Sequence, residues 1–321
     1  MIRTTTRYLA LVLALCCLLP LCTSCTKPEQ SDKIEVLCTV FPLYDWVRNI
    51  VGDSETVEVS LLITNGSSDL HSYQPSAKDM VAISSADLFF YVGGVSDAWV
   101  EDALRTHDSE DRIDVKMTEI PEIRLREICS DSTEEHDDHE HGAIDEHLWL
   151  SLINAKTASS YLCDRLCELD EQGAEQYREN YAAYAASLDA LDEEYSSLVA
   201  SVDDPMILCA DRFPFVYLAE DYGIRYVAAF EGCSTDANAT PDTILRLAQA
   251  VDEHGVRAIL VTERHDGQLA ESVLSAARSK DVEILCLVSM QSTTMEMVEA
   301  GDSYIQLMKA NLDTLRKVWG L

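Results

Sequence analysis

The stretch Tyr177 to Leu198, YRENYAAYAASLDALDEEYSSL, divides the chain in two. Its apolar residues Tyr177, Tyr181, Tyr184, Leu188, Leu191, Tyr195 and Leu198 recur at alternating steps of four and three, which makes one stripe along a helix. From Asn154 to about Val202 there is no proline and no strand pattern, and the one glycine is Gly173. Read as a single helix, that run would measure roughly 70 Å at the standard rise per residue. Such a length outspans one domain and suits a stiff strut between two. A coiled-coil dimer is the other reading, but the seam is short and flanked by globular patterns.

On both sides of the strut, strands alternate with helices. Before it, the strands are Ile34–Phe41, Val57–Ile63, Leu88–Val92 and Ile113–Met117. The helices between them are Leu43–Val51, Ser76–Ala86 with Ser76 as N-cap, and Trp99–His107. After it come strands Met206–Ala210, Arg225–Ala229, Ala258–Thr262 and Glu283–Val288, with helices Pro214–Tyr222, Pro241–His254, Gly267–Ser279 and Gly301–Val318. This alternation predicts an α/β fold of two lobes, each a mainly parallel four-stranded sheet flanked by helices, joined by one long backbone helix. The expected divisions are an N-terminal lobe over 34–151, a linker helix over 152–202 and a C-terminal lobe over 203–321.

At 321 residues and 47% hydrophobic, the chain is long enough for two such lobes. Its 57 acidic and 24 basic residues give a formal charge of −33, which argues against nucleic acid as a partner and favours cations. Residues 1–25 read as a targeting segment: Arg3 and Arg7, then an apolar core from Leu9 to Leu21, too short to span a bilayer comfortably. The core ends at Leu21-Cys22-Thr23-Ser24-Cys25, which resembles a bacterial lipoprotein cleavage site with Cys25 as the lipidated residue. Residues 26–33 then read as a tether. Seven of the eleven cysteines lie beyond this leader, an odd number placed mostly in apolar runs. They do not make a disulfide framework, and no C-x-x-C pair among these seven offers a thiolate zinc knuckle. Cys38, Cys209 and Cys286 fall in strands, where a free thiol acts as a small buried hydrophobe.

Four of the eight histidines crowd into Glu134 to Leu150, EEHDDHEHGAIDEHLWL. A tract rich in imidazole and carboxylate reads as metal-binding. Within it, His136, His139 and His141 belong to an acidic loop over 134–142, whereas His147 runs straight into apolar Leu148-Trp149-Leu150. Open α/β sheets bind their ligands just past the carboxyl ends of strands. By that rule His71 follows the second strand, Asp211 the fifth, Glu231 and Cys233 the sixth, Glu263 the seventh and Ser289 the eighth. Two such edges facing across a cleft would set His71 and His147 opposite one or two carboxylates, a full shell for a divalent cation. Asp211 has a competing use as a helix cap or a partner of Arg212, and Glu263 as a partner of Arg264.

Four segments occur in order: Thr39-Val-Phe-Pro-Leu-Tyr-Asp-Trp-Val-Arg-Asn-Ile-Val-Gly-Asp53, Leu70-His-Ser-Tyr-Gln-Pro-Ser76, Asp145-Glu-His-Leu-Trp-Leu150 and Gly301-Asp-Ser-Tyr-Ile-Gln-Leu-Met-Lys-Ala-Asn-Leu312. Together they resemble the zinc- and manganese-type substrate-binding lipoproteins of bacterial ABC importers, over nearly the whole chain after the leader. The resemblance implies two α/β lobes joined by a backbone helix, metal held between them, and a mobile His-rich loop in the zinc type. It carries His71 and His147 over as the two first-lobe ligands. The second lobe departs from the family pattern. Where relatives have a third histidine or a glutamate, this chain reads Cys209-Ala-Asp-Arg-Phe-Pro-Phe215, with Asp211 the nearest replacement. Where they have a late aspartate, Leu287-Val-Ser-Met-Gln-Ser292 holds no carboxylate. The fourth position therefore moves to Glu263, with Glu231 and Cys233 as alternatives.

The expected protein is an extracytoplasmic, lipid-anchored, monomeric receptor that captures Zn2+, with Mn2+ as the alternative, and passes it to a membrane permease. The spare imidazoles favour zinc; two histidines with two carboxylates also suit manganese. No enzyme is expected, since H-E-x-x-H, a nucleophile elbow and a phosphate-cradling glycine loop are all missing. A zinc hydrolase with an open coordination position, a chelate receptor and a surface adhesin are the rival readings.

Overall fold

The computed structural model describes residues 33–64, 73–106, 111–127, 144–231, 239–263 and 266–321. The leader with Cys25, His71, the loop histidines His136, His139 and His141, and Cys233 lie outside the described residues, as does the side chain of Glu231.

The first sheet holds β1 (Ile34–Cys38), β2 (Val57–Leu61), β3 (Leu88–Tyr91) and β4 (Ile113–Lys116) in the order β2-β1-β3-β4. The second holds β5 (Met206–Phe213), β6 (Arg225–Glu231), β7 (Ala258–Thr262) and β8 (Glu283–Leu287) in the order β6-β5-β7-β8. Every strand pair in both sheets is parallel. The two orders are the same pattern, so each sheet has its switch point beside its first strand, between β1 and β3 and between β5 and β7. The fold class is the one the alternation predicts.

Both faces of each sheet are covered, which is why the inner strands, such as β3 and β7, are apolar almost throughout, whereas edge strands β2 and β4 carry polar positions. In β3, Leu88 and Phe90 enter a core shared by the two halves, while Phe89 and Tyr91 pack on the opposite face with Leu37 and Ile83. In β5, Ile207 and Cys209 enter the shared core, and Leu208 packs oppositely with Leu247, Ile259 and Val273. Cys38 and Cys209 are buried as expected, but Cys286 is exposed, because β8 is the edge strand of its sheet.

The helices of the first half are α1 (Phe41–Val51), α2 (Ala77–Ser85) and α3 (Ala98–Thr106). Pro42 sits in the first turn of α1, where its missing N–H costs nothing. Ser76 caps α2 in a reciprocal box: its hydroxyl accepts from Asp79 N–H at 3.3 Å, and the Asp79 carboxylate accepts from Ser76 N–H at 2.7 Å.

The single strut is corrected. The run 152–202 forms two helices, α4 (Leu152–Leu169) and α5 (Ala174–Ala200), packed against each other. Lys156 at the start of α4 pairs with Asp189 far along α5, while Cys167 at the end of α4 donates to Ala174 carbonyl at the start of α5, so the two run antiparallel. The reversal has a physical cause at Asp170. One of its oxygens accepts from the N–H groups of Gln172 and Gly173, both at 3.1 Å, and the other from Thr56 Oγ1 at 2.6 Å and Tyr177 Oη at 2.7 Å. Tyr177 folds over Gly173 so closely that a β-carbon there would collide with its ring. The remaining backbone helix, α5, is about 40 Å long at the standard rise.

Its stripe does the joining. Tyr177, Tyr184, Leu188, Leu191, Tyr195 and Leu198 are buried. Asn180 donates to Ile50 carbonyl on α1 at 2.9 Å. Tyr195 donates to Met308 carbonyl at 2.6 Å on the last helix of the second half.

The second half continues with α6 (Val216–Tyr222), α7 (Pro241–His254), α8 (Gln268–Ala276), α9 (Met295–Glu299) and α10 (Tyr304–Trp319). The expected helix Gly301–Val318 thus starts at Tyr304, capped by Ser303, whose hydroxyl accepts from Gln306 N–H. No helix among the described residues is long and apolar enough to cross a membrane.

Candidate metal centre

His147 lies in the short segment between the His-rich loop and α4, followed by a 3-10 turn over Leu148–Leu150. The ring is buried, at 1% exposure, as are Asp145 and Glu146 beside it. One oxygen of Asp145 takes both the main-chain N–H of His147, at 2.9 Å, and its ring Nδ1, at 2.8 Å. A carboxylate at that nitrogen assigns the proton to Nδ1 and leaves the lone pair on Nε2, the arrangement of a metal-ligating imidazole. Trp149 holds the ring from one side, edge to face, with centroids 5.3 Å apart. Glu146 turns the other way. It accepts from Ser96 N–H at 2.6 Å, and it fills the space a β-carbon on Gly94 would need, 2.5 Å from that position. Gly94 has φ +123, which glycine alone adopts freely.

Trp149 also joins His147 to the second sheet. Its indole N–H donates to Ser289 carbonyl, just past β8, at 2.9 Å. Ser289 in turn donates to Glu263, just past β7, through its N–H and its hydroxyl, both at 2.8 Å, and Ser292 adds a longer bond at 3.3 Å. A relay of contacts thus runs from the His147 ring through Trp149 and Ser289 to Glu263. Ser289 occupies the neighbourhood where a late aspartate was expected, and it orients the carboxylate of Glu263. Glu263 is half-buried; Oε2 accepts from Ser289 N–H and Oε1 from the hydroxyls of Ser289 and Ser292.

Asp211 is committed differently. β5 runs three residues further than expected and breaks register with β6 between Cys209 and Arg212, a bulge that swings Asp211 across to β7. One oxygen accepts from Thr262 N–H at 3.1 Å and Thr262 Oγ1 at 2.5 Å; the other accepts from Arg212 N–H at 2.8 Å. The carboxylate stitches β5 to β7 at the switch point of the second sheet. Among the described residues, no group of three or more His, Cys, Asp and Glu side chains is gathered closely enough to hold a metal ion.

Asp145, Trp149 and Ser289 act here through contacts that composition does not announce. The Asp-x-His spacing of Asp145-Glu146-His147 was the available signal, since it places a carboxylate within reach of both the following amide and the ring. Further from the edge, two buried amides copy a strand. Asn311 exchanges hydrogen bonds with both main-chain groups of Val288, at 2.7 and 2.8 Å, and Asn154 does the same with Arg124, at 2.8 and 3.0 Å. Each fixes a chain segment next to the candidate centre.

Two like-ordered, four-stranded parallel sheets flanked by helices place the molecule among the two-lobed α/β proteins. The chain belongs to the family described as zinc-uptake complex component A, periplasmic, whose profile matches residues 36–318. The zinc-binding lipoprotein AdcA of Streptococcus pneumoniae is 30% identical over 97% of this chain, which spans 61% of that relative's length. The high-affinity zinc uptake system protein ZnuA of Bacillus subtilis is 29% identical, over 90% of this chain and 88% of its own. The solved Zn(II)-bound ZnuA-like domain of S. pneumoniae AdcA superposes with a TM-score of 0.72 at 27% identity, covering 90% of this chain and 100% of the domain.

Proposed function

We propose that this chain captures zinc outside the cytoplasm and hands it to the membrane permease of an ABC importer. The observation that carries the reading is His147: a buried imidazole whose Nδ1 is tied to Asp145, the orientation and tautomer that a zinc-ligating Nε2 requires. Membership of the zinc-uptake family and likeness to a Zn(II)-bound domain support zinc as the cargo.

In this reading His147 and His71 supply the imidazoles and Glu263 a carboxylate from the second half. Asp211 keeps its strand-stitching bonds, so it ranks behind Glu263, with Glu231 and Cys233 as the other second-half donors. The lobes are 34–151 and 203–321, the loop 134–142 is an accessory zinc trap, and Cys25 carries the lipid that holds a monomer at the membrane. The role is capture and release, and no bond of the cargo is made or broken beyond coordination.

The test is elemental analysis of the protein as purified, with zinc titration of the wild type and of His147→Ala and His71→Ala. Zinc retained by the wild type, and affinity lowered by orders of magnitude in both variants, is expected. Unchanged affinity in His147→Ala removes the reading.

A further inference from the structure

His147 belongs to the first half of the chain, yet the backbone on both sides of it is bound by the second. The hydroxyl of Tyr217, on α6, donates to the carbonyl of Asp145 at 2.8 Å and accepts the N–H of Arg126 at 3.1 Å. The hydroxyl of Tyr304, the first residue of α10, donates to the carbonyl of Trp149 at 2.6 Å. These two carbonyls lie two residues before and two residues after His147. Both tyrosines are wholly buried, so neither carbonyl has water as a substitute donor. Ser151, two residues further along, donates to Asp221 of α6 at 2.5 Å, and the Trp149 indole reaches Ser289.

The residues anchored in this way are the ones that orient the imidazole. Asp145 holds Nδ1 and Trp149 flanks the ring, so the position of each is transmitted to His147. From the first half, Asp145 N–H donates to Arg126 carbonyl at 2.8 Å, and Glu146 is bound by Ser96 N–H. We infer that Tyr217 and Tyr304 are positioning residues for His147: two hydroxyls from the second half clamp the main chain on either side and make the imidazole part of that half. A movement between the halves would then leave the spacing between His147 and Glu263 unchanged. The consequence for zinc rests on the reading of His147 as a ligand; the clamp itself does not.

The test uses the full chain with Tyr217→Phe, Tyr304→Phe and, as control, Tyr195→Phe. The control removes a chemically equal bond, buried Tyr195 to Met308 carbonyl at 2.6 Å, whose acceptor is on α10 and not on the His147 segment. In metal-free protein labelled with 15N-histidine, the Nδ1–H signal of His147, identified by its loss in His147→Ala, should shift and exchange faster in Tyr217→Phe and Tyr304→Phe only. Zinc affinity, by competition with a chelator, should fall about three- to tenfold in each, the scale of one net hydrogen bond, and remain unchanged in Tyr195→Phe. Either variant tests the inference alone if the other fails to fold. An unaltered Nδ1–H signal in both, or an equal change in Tyr195→Phe, overturns it. If His147→Ala binds zinc as the wild type does, the zinc reading falls, while the metal-free signal still judges the clamp.

Discussion

The carboxylate of Asp45, on α1, accepts the main-chain N–H of Tyr304 at the start of α10, 259 residues later, at 3.2 Å. It thus serves the last helix of the second half from the first half, and Tyr184 of α5 approaches the same oxygen at 3.5 Å. Burial raises Asp45 to about 6, against the opposing pull of the Tyr304 amide, Tyr184, Arg48 and Asn49. An unfolded aspartate titrates near 4. Between those two values the folded chain keeps a proton that the unfolded chain has released, so this group lowers stability as pH rises through the window. The cost is complete above about pH 6, at up to about 3 kcal/mol for a shift of this size. Asp45→Asn keeps an acceptor for Tyr304 and carries no charge. Its melting temperature should therefore exceed the wild type's by more at pH 7.5 than at pH 4, in scanning calorimetry. Equal differences at both values would show that Asp45 does not titrate in this window.

Asp145 is expected to act on zinc through His147. Asp145→Ala frees the ring to rotate and to exchange its tautomer, so zinc affinity should fall about 10- to 100-fold, the usual effect of deleting a ligand's hydrogen-bonded partner. Asp145→Asn, with one acceptor kept, should lose less. A chelator-competition titration in which both variants match the wild type would contradict this role.

Glu263 is bound by Ser289 and Ser292, and the proposed function asks it also to bind metal. Glu263→Gln preserves the shape and most of the serine contacts while removing the charge. Zinc affinity should drop at least about tenfold, with only a small change in melting temperature, in keeping with the preference of divalent metals for anionic oxygen. A variant that melts lower yet binds zinc normally would make Glu263 an anchor for Ser289 and nothing more.

Asp211 should show the reverse pattern. Asp211→Ala leaves the Thr262 amide and hydroxyl without their acceptor at the junction of β5 and β7. Stability measured by urea unfolding should fall by about 1–3 kcal/mol, the cost of stranding buried polar groups, with zinc affinity little altered. Loss of zinc binding without loss of stability would return Asp211 to the ligand set.

Much of this architecture was legible before any coordinates. Strand and helix alternation, the Ser76 cap and the stripe from Tyr177 to Leu198 are local patterns, set by periodicity and by side chains that bond their own neighbours. The break at Asp170 was not legible, because Leu169-Asp-Glu-Gln-Gly-Ala174 contains no proline and a helix tolerates one glycine. What stops the helix there is partly distant: Thr56 and Tyr177 join the local amides on one carboxylate. The bulge in β5 has the same character, since Asp211 takes two of its donors from Thr262 on another strand.

For the candidate centre the division is similar. The amino-acid sequence singled out His147, from its place between an acidic loop and an apolar segment, and offered Glu263 among the positions just past a strand; the family resemblance, with its late carboxylate missing here, moved the fourth position to Glu263. Only the tertiary structure showed the relay from His147 through Trp149 and Ser289 to Glu263, and the two tyrosines of the opposite half that bond the backbone around His147. Periodicity and capping act over a few residues, so the chain displays them openly. A hydrogen bond between groups 155 residues apart, such as Tyr304 to Trp149, depends on where the whole fold sets them, and no local pattern encodes that.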